Sequence, residues 1–424
     1  MNELLTNPLI ALVVVVLGGA MLVLGGEWLV RGATKIALGL KISPLVVGLT
    51  VVALCTSAPE MGVSFFAALS DNKGAVEKTD VENTGVEKAA AENTAVESVA
   101  DASSAELAGS EEQPALASPA PAASETVASE PATAPKEEGS VADVAIGNVV
   151  GSNICNILLI LGVCGLIRPL SSSETIVRRD FPVYIVISLV VIAVAFALRV
   201  PDGSSSLPRW FGLVLLAAFV AYEYATIRQA RKEESAHYVA EVLDARDVQR
   251  ATPQAGQDGQ DGAVVAEPQI VAKTNWFVAV ALVLVGLVAL VVGSQLFVNG
   301  AVAIARKIGV SELVIGLTLV AVGTSLPELT VSAVATYRKQ IDVALGNVIG
   351  SNICNILLVL GGTLSLVPGG LTIRAQTLCV DLPVMAASGA LAGWFCFTGR
   401  ELERWEAAIL LAFQCGYAAY LVLA

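Results

Sequence analysis

The segment Thr56-Ser57-Ala58-Pro59-Glu60 returns as Thr324-Ser325-Leu326-Pro327-Glu328, each time inside a long apolar run. Holding a carboxylate at the centre of a bilayer-spanning helix costs at least ~2.5 kcal/mol. Two of them at matching positions restrict the fold severely. Each must face protein or a water-filled cavity, and each needs something to balance its charge. The surrounding chain has 424 residues, 55% of them apolar. Apolar runs longer than ~18 residues recur along it, the pattern of a protein that crosses a membrane many times as helices. A soluble globule of this make-up would have to bury most of its helices on every side.

Ten spans are predicted, near 8–29, 44–69, 143–167, 180–199, 208–227, 275–300, 312–336, 341–367, 379–398 and 404–424. The two halves repeat one another. Gly48–Ser64 matches Gly316–Ser332 at 11 of 17 positions, and Gly147–Gly162 matches Gly346–Gly361 at 14 of 16. A weaker echo pairs Asp180-Phe181-Pro182 with Asp381-Leu382-Pro383. Five spans per half is an odd number, so the second half enters from the opposite side of the membrane. The expected fold is an all-α polytopic membrane protein, ten transmembrane helices in two inverted five-helix repeats, as in many secondary transporters.

The offset between the copies is 268 for the first motif and 199 for the second, so the first half carries 69 extra residues between them. The organisation that follows is 1–70 (helices one and two), an insert at 71–142, 143–227 (helices three to five), a linker at 228–274, and 275–424 as the second repeat. The insert holds 15 acids and 4 lysines, which accounts for most of the net charge of −13. Its near-pentads VEKTD, VENTG and VEKAA, followed by an Ala/Pro/Ser/Glu tract, predict a disordered, solvated tether. The first part of the 228–274 linker is predicted to be helical. No basic stripe exists for nucleic acid. With the N-terminus outside, the inner loops carry 16 Lys/Arg and the short outer loops 5. The excess places both termini and the insert on the outer face. No cleavable signal peptide is evident ahead of the first span.

The pentads sit near the middle of their spans. Thr56 and Glu60 are four residues apart and share a helix face, as do Thr324 and Glu328. Pro59 and Pro327 disrupt the preceding turn, which is expected to expose carbonyls from Ala53 to Thr56 and from Ala321 to Thr324. In the second motif Asn148, Ser152 and Asn156 recur every fourth residue, and Asn347, Ser351 and Asn355 repeat them. Asn153 and Asn352 point elsewhere on their helices, where interhelical hydrogen bonding is the expected role. The ligand set is therefore carboxylate, carbonyl, hydroxyl and amide oxygen, which suits hard cations such as Ca²⁺ and Na⁺. Soft metals would want the thiolate and imidazole clusters that seven scattered cysteines and one loop histidine do not form. Two carboxylates balance one Ca²⁺ or two Na⁺, and a third Na⁺ held by neutral oxygens would make the exchange electrogenic.

These two motifs, GxTxxxxxTSxPE and GNxxGSNIxN, resemble the alpha repeats of the sodium/calcium exchanger family in the calcium/cation antiporter superfamily. The resemblance covers both five-span halves and leaves out the insert and most of the 228–274 linker. It implies exchange of Ca²⁺ for Na⁺ by alternating access, with the first and sixth helices sliding against the core. Transported ions rather than a cofactor would occupy the protein, and the setting would be a bacterial-type inner membrane. By motif position it implies ion ligands at Ala53, Thr56, Ser57, Glu60, Ser152 and Asn156, and at Ala321, Thr324, Ser325, Glu328, Ser351 and Asn355. Cys55 stands where the family usually has Gly, as at Gly323, and Asn355 where some members have Asp. The site then has no third carboxylate. H⁺/Ca²⁺ exchange, or exchange of another divalent cation, stays open as an alternative; a cation channel fits inverted broken helices less well. No Ser/His pair or metal-binding His motif points to an enzyme.

Overall fold

The computed structural model describes residues 7–40, 42–69, 141–201, 203–251, 275–310, 321–367 and 369–423. Nearly all of them are helical. The elements are α1 Pro8–Leu40, α2 Pro44–Thr56, α3 Ala58–Leu69, α4 Ala145–Ile167, α5 Ile176–Ala197 and α6 Arg209–Ala251 in the first half. The second half has α7 Trp276–Lys307, α8 Ala321–Thr324, α9 Leu326–Tyr337, α10 Ile341–Leu366, α11 Thr377–Gly399 and α12 Arg404–Leu423. Among the described residues, eight helices are long and apolar enough to cross a membrane, or nine when α2 and α3 count as one bent span. The predicted seventh span begins in 311–320, outside the described residues, and continues as α8 and α9. The insert up to residue 140 also lies outside them, as does the linker from 252 to 274.

Three helices run past their predicted spans, α7 among them, which ends at Lys307 and not near 300. α1 continues from the expected 29 to Leu40, and only Ser43-Pro44 starts a new helix, with Ser43 accepting from the Val46 N–H at its N-cap. At 33 residues α1 is about 50 Å long, well beyond the ~30 Å hydrocarbon core. α6 likewise continues to Ala251, so the helical start expected for the linker is an extension of the fifth span.

Two short antiparallel ribbons qualify the all-helical expectation. β1 (Leu170–Ser171) pairs with β4 (Glu401–Leu402), and β2 (Ser205–Leu207) with β3 (Leu371–Ile373). β1 follows α4 and β2 follows α5, so the ribbons lie at opposite ends of the bundle. Each joins a first-half loop to a second-half loop.

The inverted plan is visible where α1 meets α7. A Cβ on Gly18 would lie 2.8 Å from the Gly293 carbonyl, one on Gly25 2.9 Å from that of Gly286, and one on Gly32 2.8 Å from that of Ala279. Residue numbers rise on one helix as they fall on the other, so the pair is antiparallel. Gly18, Gly25 and Gly32 become Gly286, Gly293 and Gly300 at the offset of 268, so the same seven-residue glycine ladder faces itself. Small residues allow such backbone contact between membrane helices, where water supplies no driving force. Leu12, Val16, Leu284 and Val288 are exposed on the outward faces, as lipid contact requires.

α4 and α10 form the centre. Of the most apolar 18 residues, 94% are buried in α10 and 72% in α4, against 17% in α12. Their large apolar side chains, including Ile154, Ile157, Leu161, Ile353, Ile356 and Leu360, make one core. The chain also binds α1 to the turn after α9. Glu27 pairs with Arg31 and Arg338, and the Thr34 hydroxyl donates to Gln340 at 3.2 Å.

Candidate functional site

Each pentad sits at a helix break. α2 stops at Thr56 and α3 starts at Ala58, with the axes bent by 44°. Ser57 occupies the break at φ −80°, ψ 2°, and Ser325 between α8 and α9 has nearly the same backbone, φ −88°, ψ 5°. The prolines explain the breaks, since each withholds an N–H from the turn before it. They do not bare the carbonyl of Ala53, as had been expected. Pro59 removes the bond to residue 55, four back, and not to 53. The Ala53 carbonyl still accepts the Ser57 N–H at 2.9 Å, and the Thr56 hydroxyl lies 3.3 Å from it. In the second half the Ser325 N–H donates to the Val322 carbonyl at 3.1 Å. The side chain of Ala321 lies outside the described residues.

The asparagines that open the second motif hold the pentad helices in place. Asn148 donates to the Glu60 carbonyl at 3.3 Å and to Ser64 at 3.1 Å. Asn347 repeats this with the Glu328 carbonyl at 3.4 Å and Ser332 at 2.9 Å. Each pair joins the two motifs of one repeat. Ser64 and Ser332 were outside the expected site. Their signal in the sequence was their identity at the end of the 17-residue match.

Thr56 links the halves. Its hydroxyl lies 3.0 Å from Asn347 Oδ1, to which it donates, and 3.3 Å from Ser351 Oγ. A glycine permits this crossing, because a Cβ on Gly350 would fall 2.6 Å from the Leu49 carbonyl of α2. Glu328 lies within electrostatic reach of Glu60 and beside the Thr56 and Ser57 hydroxyls, without the geometry of a hydrogen bond to either. Thr324 is half-buried, whereas Thr56, Glu60, Glu328, Ser351 and Asn355 are fully buried.

The remaining polar atoms are the notable ones. Both carboxylate oxygens of Glu60 and of Glu328 are buried without a hydrogen-bond partner. So are the hydroxyls of Ser57, Ser152 and Ser325 and the Oδ1 atoms of Asn156 and Asn355. Each such atom costs ~1–3 kcal/mol if left unmatched, and charged groups cost more. The nine atoms named come from the two repeated motifs and are all oxygens, whereas the partnerless oxygens of Asp180, Ser205, Thr226 and Gln414 lie outside the motifs. Asn156 and Asn355 each open a stretch of wide π-type turns, Asn156–Ile160 and Asn355–Leu360. Such turns are frequent at functional sites. Among the described residues no three His, Cys, Asp or Glu side chains cluster, so the arrangement has two carboxylates and otherwise neutral oxygens.

Comparison with known proteins gives a family match and a fold match. The family model described as sodium/calcium exchanger protein matches residues 10–79, 121–228 and 278–424. Its gap at 80–120 falls inside the acidic insert. A protein of Alkalimonas amylolytica designated antiporter CaxA is 31% identical over 412 residues, covering 96% of this chain and 98% of that protein. The sodium/calcium exchanger MaX1 of Methanosarcina acetivorans is 27% identical, with 97% of both chains covered. Among solved structures, the sodium-calcium exchanger NCX_Mj soaked with Na⁺ and Sr²⁺ superposes with a TM-score of 0.62 at 24% identity, over 97% of this chain and 99% of that one.

Proposed function

The chain belongs to the sodium/calcium exchanger protein family, and on that premise we propose that it is an antiporter exchanging Ca²⁺ for Na⁺ across its membrane. The observation that carries this reading is the set of buried oxygens without protein partners that the two repeated motifs supply, those of Glu60 and Glu328 among them. Ca²⁺ takes ~6–8 oxygens and accepts carboxylate, amide and hydroxyl donors alike. The proposed ligands are Glu60, Glu328, Ser57, Ser325, Ser152, Asn156 and Asn355, each with a buried oxygen that lacks a protein partner, joined by Thr56, Thr324 and Ser351 on motif position. The carbonyls of Ala53 and Ala321 are proposed as ligands by motif position, that of Ala53 sharing its remaining capacity with Thr56. Two negative charges are matched by one Ca²⁺ or by two Na⁺, so the ions compete for one site. Exposing that site to each side in turn makes the competition an exchange. We assign the movement to the antiparallel α1–α7 pair, which packs on itself more closely than on the rest of the bundle. No chemical step is involved, and the protein is a transporter rather than an enzyme.

The proposed setting is a bacterial inner membrane with both termini and the insert outside, in line with the Lys/Arg excess of the opposite loops. Vesicles containing the purified protein test the coupling ion. An outward Na⁺ gradient should drive ⁴⁵Ca²⁺ uptake, and a pH gradient of equal size should not. Uptake driven by the pH gradient alone would establish H⁺/Ca²⁺ exchange instead. Counterflow of labelled Ca²⁺ should accompany it, and its absence would point to a channel.

Deleting residues 74–139 should leave this Na⁺-driven uptake within about twofold of the full chain, since an acidic tract attracts cations only weakly once salt screens it. Loss of exchange by a well-inserted deletion would give the insert a part in transport.

A further inference from the structure

We propose that Asn153 and Asn352, the central asparagines of the two Gly-Ser-Asn-Ile-Cys-Asn runs, are positioning residues that set the amide polarity of Asn355 and Asn156. Each makes its partner turn a carbonyl oxygen, and not an NH₂ group, toward the site. The inference rests on the reading of that site as a cation site.

The polarity propagates from two atoms that can only accept. Asn352 Nδ2 donates to the backbone carbonyl of Asn153 at 3.3 Å. Its Oδ1 is therefore the atom left for Asn156, whose Nδ2 donates to it at 3.0 Å. On the second arm Asn153 Nδ2 meets the thioether sulfur of Met385 at 3.5 Å, so its Oδ1 takes the Nδ2 of Asn355 at 3.2 Å. A carbonyl and a thioether have no proton to give. Both arms therefore run one way and end on the Oδ1 atoms of Asn156 and Asn355, which are buried and unpaired. All four asparagines are at most 1% exposed, so bulk water offers no alternative partner. Each arm also crosses between the repeats, from α4 to α10.

An unrestrained carboxamide presents NH₂ as readily as oxygen, and NH₂ repels a cation. Turning Asn156 over would place its Oδ1 against that of Asn352, two acceptors with no proton between them. The same arrangement disfavours aspartate at 156 or 355, because a carboxylate would face the Oδ1 of the positioning residue.

The test is a pair of double-mutant cycles read by Ca²⁺ affinity of the purified full chain, with ⁴⁵Ca²⁺ as the probe. Asn352→Ala should weaken Ca²⁺ binding about tenfold or more in the otherwise native protein, the usual scale for residues that orient metal ligands. In the Asn156→Asp background the same change should leave affinity unchanged or raise it. A carboxylate presents oxygen whichever way it turns, and the opposing Oδ1 is gone. Asn153→Ala in the native and Asn355→Asp backgrounds is the matching cycle, and it serves if Asn352→Ala does not fold. Equal losses in both backgrounds would mean that these asparagines only pack the helices, and would overturn the proposal. Glu60→Gln in the same assay separates the two levels of the argument. If Ca²⁺ affinity is unaffected by Glu60→Gln, the site itself is misplaced. If it collapses while the cycles show equal losses, the site stands and the positioning role does not.

Discussion

Glu60→Gln and Glu328→Gln should each abolish Na⁺-driven Ca²⁺ uptake while giving an ion-free protein that melts at a higher temperature than the native chain. The two effects have one cause. Both carboxylates are fully buried, and none of their four oxygens has a hydrogen-bond partner. Without a cation they oppose folding, since burial strips a charge of its hydration and the neighbouring carboxylate adds repulsion. With Ca²⁺ they supply the entire negative charge of the site. Leaving half of a buried charge pair unmatched costs about 3–5 kcal/mol, which corresponds to Ca²⁺ binding weaker by roughly two to four orders of magnitude. Thermal unfolding with and without Ca²⁺ measures both consequences, because a ligand that binds only the folded state raises its melting point, at a given concentration, with the logarithm of its affinity. A variant that keeps near-native exchange, or keeps the full Ca²⁺-induced rise in melting temperature, would remove that glutamate from the site.

The second large effect is expected at the α1–α7 contact. Gly25→Val or Gly286→Val should leave little folded or active protein. A Cβ on Gly25 would lie 2.9 Å from the Gly286 carbonyl, and one on Gly286 2.7 Å from the Leu29 amide nitrogen. The neighbours are backbone atoms, so no side chain can swing aside and the helices must separate. Alanine at either position should cost about 1–3 kcal/mol, the range for overpacking, and valine more. Gly19→Ala is the control. Its nearest neighbours are ring atoms of Phe297 at 3.8 Å, an ordinary contact, and the variant should melt as the native protein does. Melting curves of the purified variants decide the matter. Equal behaviour of Gly25→Ala and Gly19→Ala would show that the helices do not touch as described.

Much of the site could be read from residues alone, for a definite reason. Glu60 and Glu328 are anomalies in one dimension: acids in the middle of apolar runs, duplicated with their prolines and hydroxyls. The fourfold spacing of Asn148, Ser152 and Asn156 is also local, and it correctly places them along one helix face. What that spacing does not distinguish is purpose. Asn148 and Asn347 spend their amide donors on the Glu60 and Glu328 carbonyls and on Ser64 and Ser332. Ser152, Asn156 and Asn355 keep an oxygen free. Asn153 and Asn352, which the helical wheel turns away from the site, are the residues that orient it. Ala53 shows the same limit. The prolines point to carbonyls from Ala53 to Thr56, and only the contacts show that the Ala53 carbonyl already accepts the Ser57 N–H.

The sequence by itself determined the plan: helices that cross a membrane, two repeats of opposite orientation, and two carboxylates brought into one apolar interior. Those follow from run length, duplication and an odd number of spans, none of which depends on knowing a contact. Only the tertiary structure decided which oxygens are left without a partner and which way each asparagine amide points. Hydrogen bonds between residues as far apart as Thr56 and Asn347, or Asn156 and Asn352, set those directions. An amide's polarity depends on what lies across the helix interface. The costly repeated pentads therefore reveal that a charge must be balanced, and the packing of α4 against α10 determines the oxygens that help to balance it.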